Sequence, residues 1–169
     1  MDFKAISNAG PIIHLTQIGK LSILKELFGK IAIPESVKIE IIEKGKKLGK
    51  PDALLIEKEI KKWIEILKDP EIKEDISEKS GIHSGELAAI LIASEINLPL
   101  LMDDAPARSV AEAMGVEVVG SIGILIKATQ KKLLTKSQAL SSLERLTEVM
   151  WLNAYIYTQA RQSVQSLKE

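Results

Sequence analysis

Apolar residues recur along the chain in two rhythms. Short apolar runs are separated by stretches with hydrophobic positions three and four apart. Phe3 to Ser7 is a compact apolar segment that runs into Ser7-Asn8-Ala9-Gly10-Pro11, a strand followed by a turn. Ile12 to Thr16 has the length of one helical turn before Gly19. Leu21, Leu24, Leu27 and Phe28 predict a helix closed by Gly29. Ile31 to Ile33 predicts a buried strand, and Pro34 suits the first turn of a helix that carries Val37 and Ile41 and ends at Gly45. Gly49-Lys50-Pro51 predicts a loop, Ala53 to Ile60 a helix, and Trp63 to Leu67 a strand. Asp69 to Gly81 is polar, of mixed charge, and reads as a long surface loop or a marginal helix.

The second half repeats the alternation. A helix from about Gly85 to Glu95, with Ser84 as its N-cap, leads to a strand at Leu98 to Met102 that ends in Asp103-Asp104. A helix from Ala105 to Met114 stops at Gly115. The strand Val116 to Val119 runs through Gly120-Ser121-Ile122-Gly123 into a helix reaching about Lys131. Two more helices follow, Lys136 to Met150 and Ala154 to Leu167. Apolar strands alternating with amphipathic helices predict an α/β fold, a mostly parallel central sheet covered on both faces. The expected organisation is a domain over residues 1–131 and a C-terminal helical extension, 132–169, packed on it as an antiparallel pair.

Composition narrows the chemistry. The chain has no cysteine, which excludes disulfides, thiolate zinc sites and cysteine nucleophiles. Lys and Arg number 23, as do Asp and Glu, so bulk charge gives no support for nucleic-acid binding, which would need a local patch, a metal or a basic partner. No apolar run approaches the roughly 20 residues of a bilayer span, and no basic start precedes a long apolar run, so the expectation is a cytoplasmic protein without a membrane partner.

Candidate chemistry gathers at the predicted strand ends, where parallel α/β sheets place their sites. Asn8 follows the first strand, and Asp103 and Asp104 follow the strand at Leu98 to Met102. Glu86 opens the helix before that strand, and Glu40 lies in the helix after Pro34. Oxygen ligands of this kind suit Mg²⁺ or Mn²⁺, and such an ion can activate water for phosphodiester hydrolysis. Each residue also has a plainer role open to it. Asn8 suits a turn, Asp103 or Asp104 a helix cap, Glu86 a first-turn acid, and Glu40 a surface pair with Lys44.

The ordered set resembles the PIN nuclease superfamily. Ser7-Asn8-Ala9-Gly10-Pro11-Ile12-Ile13 is similar to its opening strand, acid position and turn. Ile33-Pro34-Glu35-Ser36-Val37-Lys38-Ile39-Glu40-Ile41 is similar to its second motif, Gly85-Glu86-Leu87-Ala88-Ala89-Ile90 to its third, and Leu100 to Arg108 to its fourth. Gly115-Val116 through Leu125 is similar to its last strand and Gly-rich turn. The resemblance spans about Phe3 to Lys131. It implies a three-layer α/β/α PIN-like fold and a Mg²⁺- or Mn²⁺-dependent ribonuclease, often the VapC-like toxin of a toxin–antitoxin pair. RNA would be the substrate, a small antitoxin protein a partner, and a homodimer or higher oligomer the assembly. It assigns the ion to Glu40, Glu86, Asp103 and Asn8, with Asp104 at the catalytic centre. Asn8 departs from the pattern, because an aspartate is expected there. A neutral carbonyl removes one charge from the ligand set and implies weakened metal binding and impaired hydrolysis. The alternative is a catalytically inactive PIN-like subunit that binds RNA or protein, and a third is a structural subunit that dimerises through its C-terminal helices.

Other residues carry less. His14, among Ile12, Ile13 and Leu15, reads as a packed histidine, and His83 as a loop residue. No Ser/His/Asp pattern is recognisable, and Gly120 to Gly123 lacks the P-loop ending. Arg108 can meet a phosphate or pair with a nearby acid. Lys44 to Lys50 is the densest basic segment and reads as a solvated loop. Trp151 and Tyr155 fit either core packing or a partner interface.

Overall fold

The computed structural model describes residues 1–72 and 81–168. Five strands form one all-parallel sheet: β1 (Ile6–Ser7), β2 (Ile31–Pro34), β3 (Ile64–Leu67), β4 (Leu100–Leu101) and β5 (Val118–Val119), in the order β3-β2-β1-β4-β5. This is the α/β architecture that the alternating pattern predicts. Residues 73–80 of the stretch expected to be a loop or marginal helix lie outside the described residues.

Alternation along the strands sends side chains into two cores. Ile31, Ile33 and Leu101 join one core, whereas Ala32, Leu100 and Met102 join the other. Helices α6 (Ser84–Ile96) and α7 (Ala105–Ala113) cover the second face with Ile90, Ala93, Ala107 and Ala111. Helices α1 (Ala9–Gln17), α2 (Ser22–Phe28), α5 (Pro51–Glu57) and α8 (Ser121–Gln130) cover the first. Helices α9 (Lys136–Val149) and α10 (Ala154–Ser166) pack against each other and against the same face. Their Ala139, Leu146 and Val164 enter the same core as Ile12, Leu15 and Ile124. Arg145 of α9 donates from Nη1 to the carbonyl of Ile18 at 2.9 Å, which satisfies a free carbonyl at the end of α1.

Three local expectations need correction. Helix α1 runs for 9 residues instead of a single turn, because Pro11 sits in its first turn, where the missing N–H costs nothing. Gly45 does not end a helix. The chain continues from α3 (Glu35–Lys38) through a π-helical segment, Ile39–Lys44, into α4 (Gly45–Lys47). A Cβ on Gly45 would sit 2.9 Å from the Cβ of Ala53, so this glycine serves close packing of α5. The stop comes at Gly49, which has φ +66°. Finally, α6 starts one residue earlier than expected. Its N-cap is His83, not Ser84, and the Glu86 carboxylate accepts the His83 backbone N–H at 3.0 Å.

Candidate functional site

The strand order reverses direction between β1 and β4. Strands β2 and β3 lie to one side of β1, and β4 and β5 to the other. The crevice beyond the carboxyl ends of these two neighbours is where such sheets bind ligands. The β1–β4 pairing carries Asn8 and Asp103 to that crevice, and the Asn8 N–H donates to the Leu101 carbonyl at 2.9 Å.

Asn8 is the N-cap of α1, yet its side chain makes no capping bond. Its Oδ1 is buried and accepts no hydrogen bond among the described residues, so this atom makes none of the backbone bonds of a turn or cap. A buried carbonyl without a donor costs about 1–3 kcal/mol. Among the described residues Ser36, on α3, has the other buried side-chain oxygen in this condition. Its Oγ and Glu40 Oε2 lie 3.5 and 3.9 Å from the point where a Cβ on Gly85 would stand, so both border the start of α6.

Asp103 is the most heavily bonded acid in the crevice. Its Oδ1 accepts the Ser121 backbone N–H at 2.7 Å, and its Oδ2 accepts the Ser121 hydroxyl at 2.6 Å and His14 Nδ1–H at 2.7 Å. Burial alone would raise this carboxyl's pKa, but the bonds from His14 and Ser121 outweigh burial and hold it below the ordinary value. An ionised carboxylate can only accept, so the proton in the His14 bond sits on Nδ1 and leaves Nε2 as the free ring nitrogen. Asp103 thus ties β4 to α1 and α8. Gly10, one turn before His14, lies against the same acid: a Cβ there would make ordinary contact with it, 3.4 Å from Asp103 Cβ and 3.5 Å from its Oδ2.

The expectation for His14 is therefore corrected: it is a partly exposed partner of Asp103, not a packed side chain. Ser121 was missed altogether. The Gly10-to-His14 spacing, which puts both on one face of α1, is the signal that could have found this arrangement.

Asp104, next in sequence, is exposed and caps α7, accepting the Ala107 N–H at 2.9 Å. Glu86 is half-buried. Desolvation raises its pKa, against the lowering effect of the His83 N–H bond, and the negative charges of Asp104 and Glu40 raise it further. Glu40 is exposed and sits in the π-helical segment. No Glu40–Lys44 pair forms among the described residues. Lys38 pairs instead with Glu43, five residues on, at 3.4 Å, as the wider π turn dictates. Arg108 makes no ion pair with an acid among the described residues. Its Nη1 lies 2.6 Å from where a Cβ on Gly120 would stand.

Glu86 therefore feels the charges of Glu40 and Asp104, and Asn8 and Asp103 stand at the ends of two neighbouring strands. No three His, Asp or Glu side chains among the described residues form a ready-made metal cluster. A hard cation does not require one. Mg²⁺ keeps several waters and is commonly held by one or two carboxylates. The orphaned Asn8 carbonyl and the like-charged Glu86 environment fit such an ion. Asp103 fits less well, because both its oxygens are committed to protein donors.

Trp151 and Tyr155 are 83% and 73% exposed, so neither fills the core. Among the described residues no helix is long and apolar enough to cross a membrane.

A family model described as a PIN domain, DUF3368, matches residues 4–166. No curated protein and no solved structure matches the chain.

Proposed function

Because the chain belongs to the PIN-domain family, whose members are in general metal-dependent nucleases, we propose that it is a divalent-metal-dependent ribonuclease of impaired activity. The observation that carries this reading is the buried Asn8 Oδ1, which lacks a donor at the switch point of the sheet. An oxygen in that position suits a hard cation, which carboxylates and carbonyls bind.

In this reading Glu40, Glu86 and Asn8 hold the ion, with Asp104 beside them. Asp103 acts mainly by fixing the crevice through His14 and Ser121. A bound Mg²⁺ or Mn²⁺ would supply an activated water and charge neutralisation at the RNA phosphate. Glu86, with its raised pKa, would ionise fully on meeting the cation, so ligation and deprotonation are coupled at this side chain. The VapC-like toxin role, with a small antitoxin partner and a homodimeric assembly, belongs to the same proposal.

The second reading, a catalytically inactive RNA- or protein-binding subunit, is favoured by one observation. The acid at the end of β4 is already satisfied by protein donors, and the residue at the end of β1 is neutral. The two readings part on Asn8→Asp. The substitution places an unpaired carboxylate in a buried position, so the metal-free variant is expected to melt lower than the wild type. Mn²⁺ should restore its melting temperature and bind about tenfold tighter or more. RNA cleavage should rise in parallel. Equal metal affinity and equal cleavage in both forms would reject the impairment assigned to Asn8, and no metal-dependent cleavage by either form would reject the ribonuclease reading.

A further inference from the structure

A groove of about 820 Å³ leaves the crevice at Asp103 and Asp104 and passes Arg108 and Gly120 to reach Trp151 and Ile156. Its size falls in the range of small-ligand clefts. We propose that this groove is the path of single-stranded RNA, with a base stacked on Trp151 and a neighbouring phosphate held by Arg108. The proposal rests on the ribonuclease reading and specifies how that site takes its substrate.

Three features support this occupant. The groove is continuous with the strand-end acids, so a chain lying in it passes the crevice directly. Of the charged side chains that line the wall, all but Arg108 have a hydrogen-bond or ion-pair partner among the described residues. Glu117 is paired with Lys127 at 3.0 Å, and Asp104 faces the start of α7. Arg108 has no carboxylate within ion-pair distance among the described residues, which leaves a guanidinium, the preferred group for phosphate, beside the groove. Trp151 presents an aromatic surface at the far end, 83% exposed. Stacking on such a ring tolerates any base, because every base has a π-face.

The test uses the intact chain and a short fluorescein-labelled oligouridine in EDTA, so that binding is measured without cleavage. Anisotropy gives the affinity. The emission of Trp151, separated from that of buried Trp63 by comparison with Trp151→Phe, reports stacking. Saturable quenching of Trp151 is expected. Trp151→Ala should weaken binding roughly tenfold, and Trp151→Phe should retain most of it. Arg108→Ala should weaken binding and reduce the slope of log K against log salt by about 0.7, the value for one phosphate on a single strand, whereas Arg108→Lys should keep the slope. Unchanged emission, with Ala variants within twofold of the wild type, would overturn the groove and leave the ribonuclease reading standing. A Trp151→Ala variant that turns an oligomer into a monomer at unaltered RNA affinity would assign the groove to a second copy instead. A wild-type chain that neither binds nor cleaves RNA would overturn both proposals.

Discussion

Asp103 shows how much one side chain is set by its partners. The residue follows a buried strand, as a ligand acid would, yet its oxygens are filled by Ser121 and His14. Bonds to an ionised group are worth more than neutral ones, about 1.5–3 kcal/mol each. Asp103→Asn is therefore expected to lower unfolding stability by about 1–3 kcal/mol at neutral pH, measured by urea denaturation. The pH dependence has a definite sign. The folded pKa is depressed, so this contribution is present above the ordinary aspartate range and is lost as pH falls through the folded value. The gap between wild type and Asp103→Asn should close on acidification. A gap that stays constant to low pH would mean that the hydrogen bonds do not stabilise the ionised form.

The helical stretch after β2 is decided by packing between elements. Its π-helical segment shifts the register by which Glu40 is presented and replaces an i,i+4 pair with the Lys38–Glu43 contact. Such segments occur often at functional sites. Gly45 lets α5 approach, with a virtual Cβ only 2.9 Å from Ala53. Gly45→Ala would favour helix locally but force two backbones apart. The expected result is a net loss of about 1–3 kcal/mol, read as a lower midpoint in thermal or urea unfolding. A gain in stability, as helix propensity alone would give, would show that the contact can relax.

At the scale of the molecule, the C-terminal helices complete the first core. Ala160 and Val164 of α10 are buried, and Val164 lies in the cluster that holds Leu15 and Leu146. Removing residues 154–169 would expose that cluster. The truncated chain is expected to melt at least several degrees lower and to bind a hydrophobic dye. A truncation with an unchanged melting temperature would mean that α10 acts only as a surface for partners. The same helices bring Trp151 to the groove, so core completion and the RNA path depend on one segment.

The alternation of apolar runs and amphipathic helices was sufficient for the α/β class, because burial on both faces of a parallel sheet leaves few other ways to write such a chain. The positions of Asn8, Glu86 and Asp103–Asp104 at strand ends or helix starts could likewise be read from local pattern. Local pattern could not say that Gly45 lies within a helix, since that depends on how α5 packs, or that His14 faces Asp103, far away in sequence. Nor could it show that Trp151 is exposed or that Asn8 Oδ1 has no donor. A hydrogen bond between residues 14 and 103 exists only once β1 and β4 are neighbours. Which acid is already satisfied by protein and which oxygen is left without a partner was therefore settled by tertiary structure alone, through the geometry of the switch point.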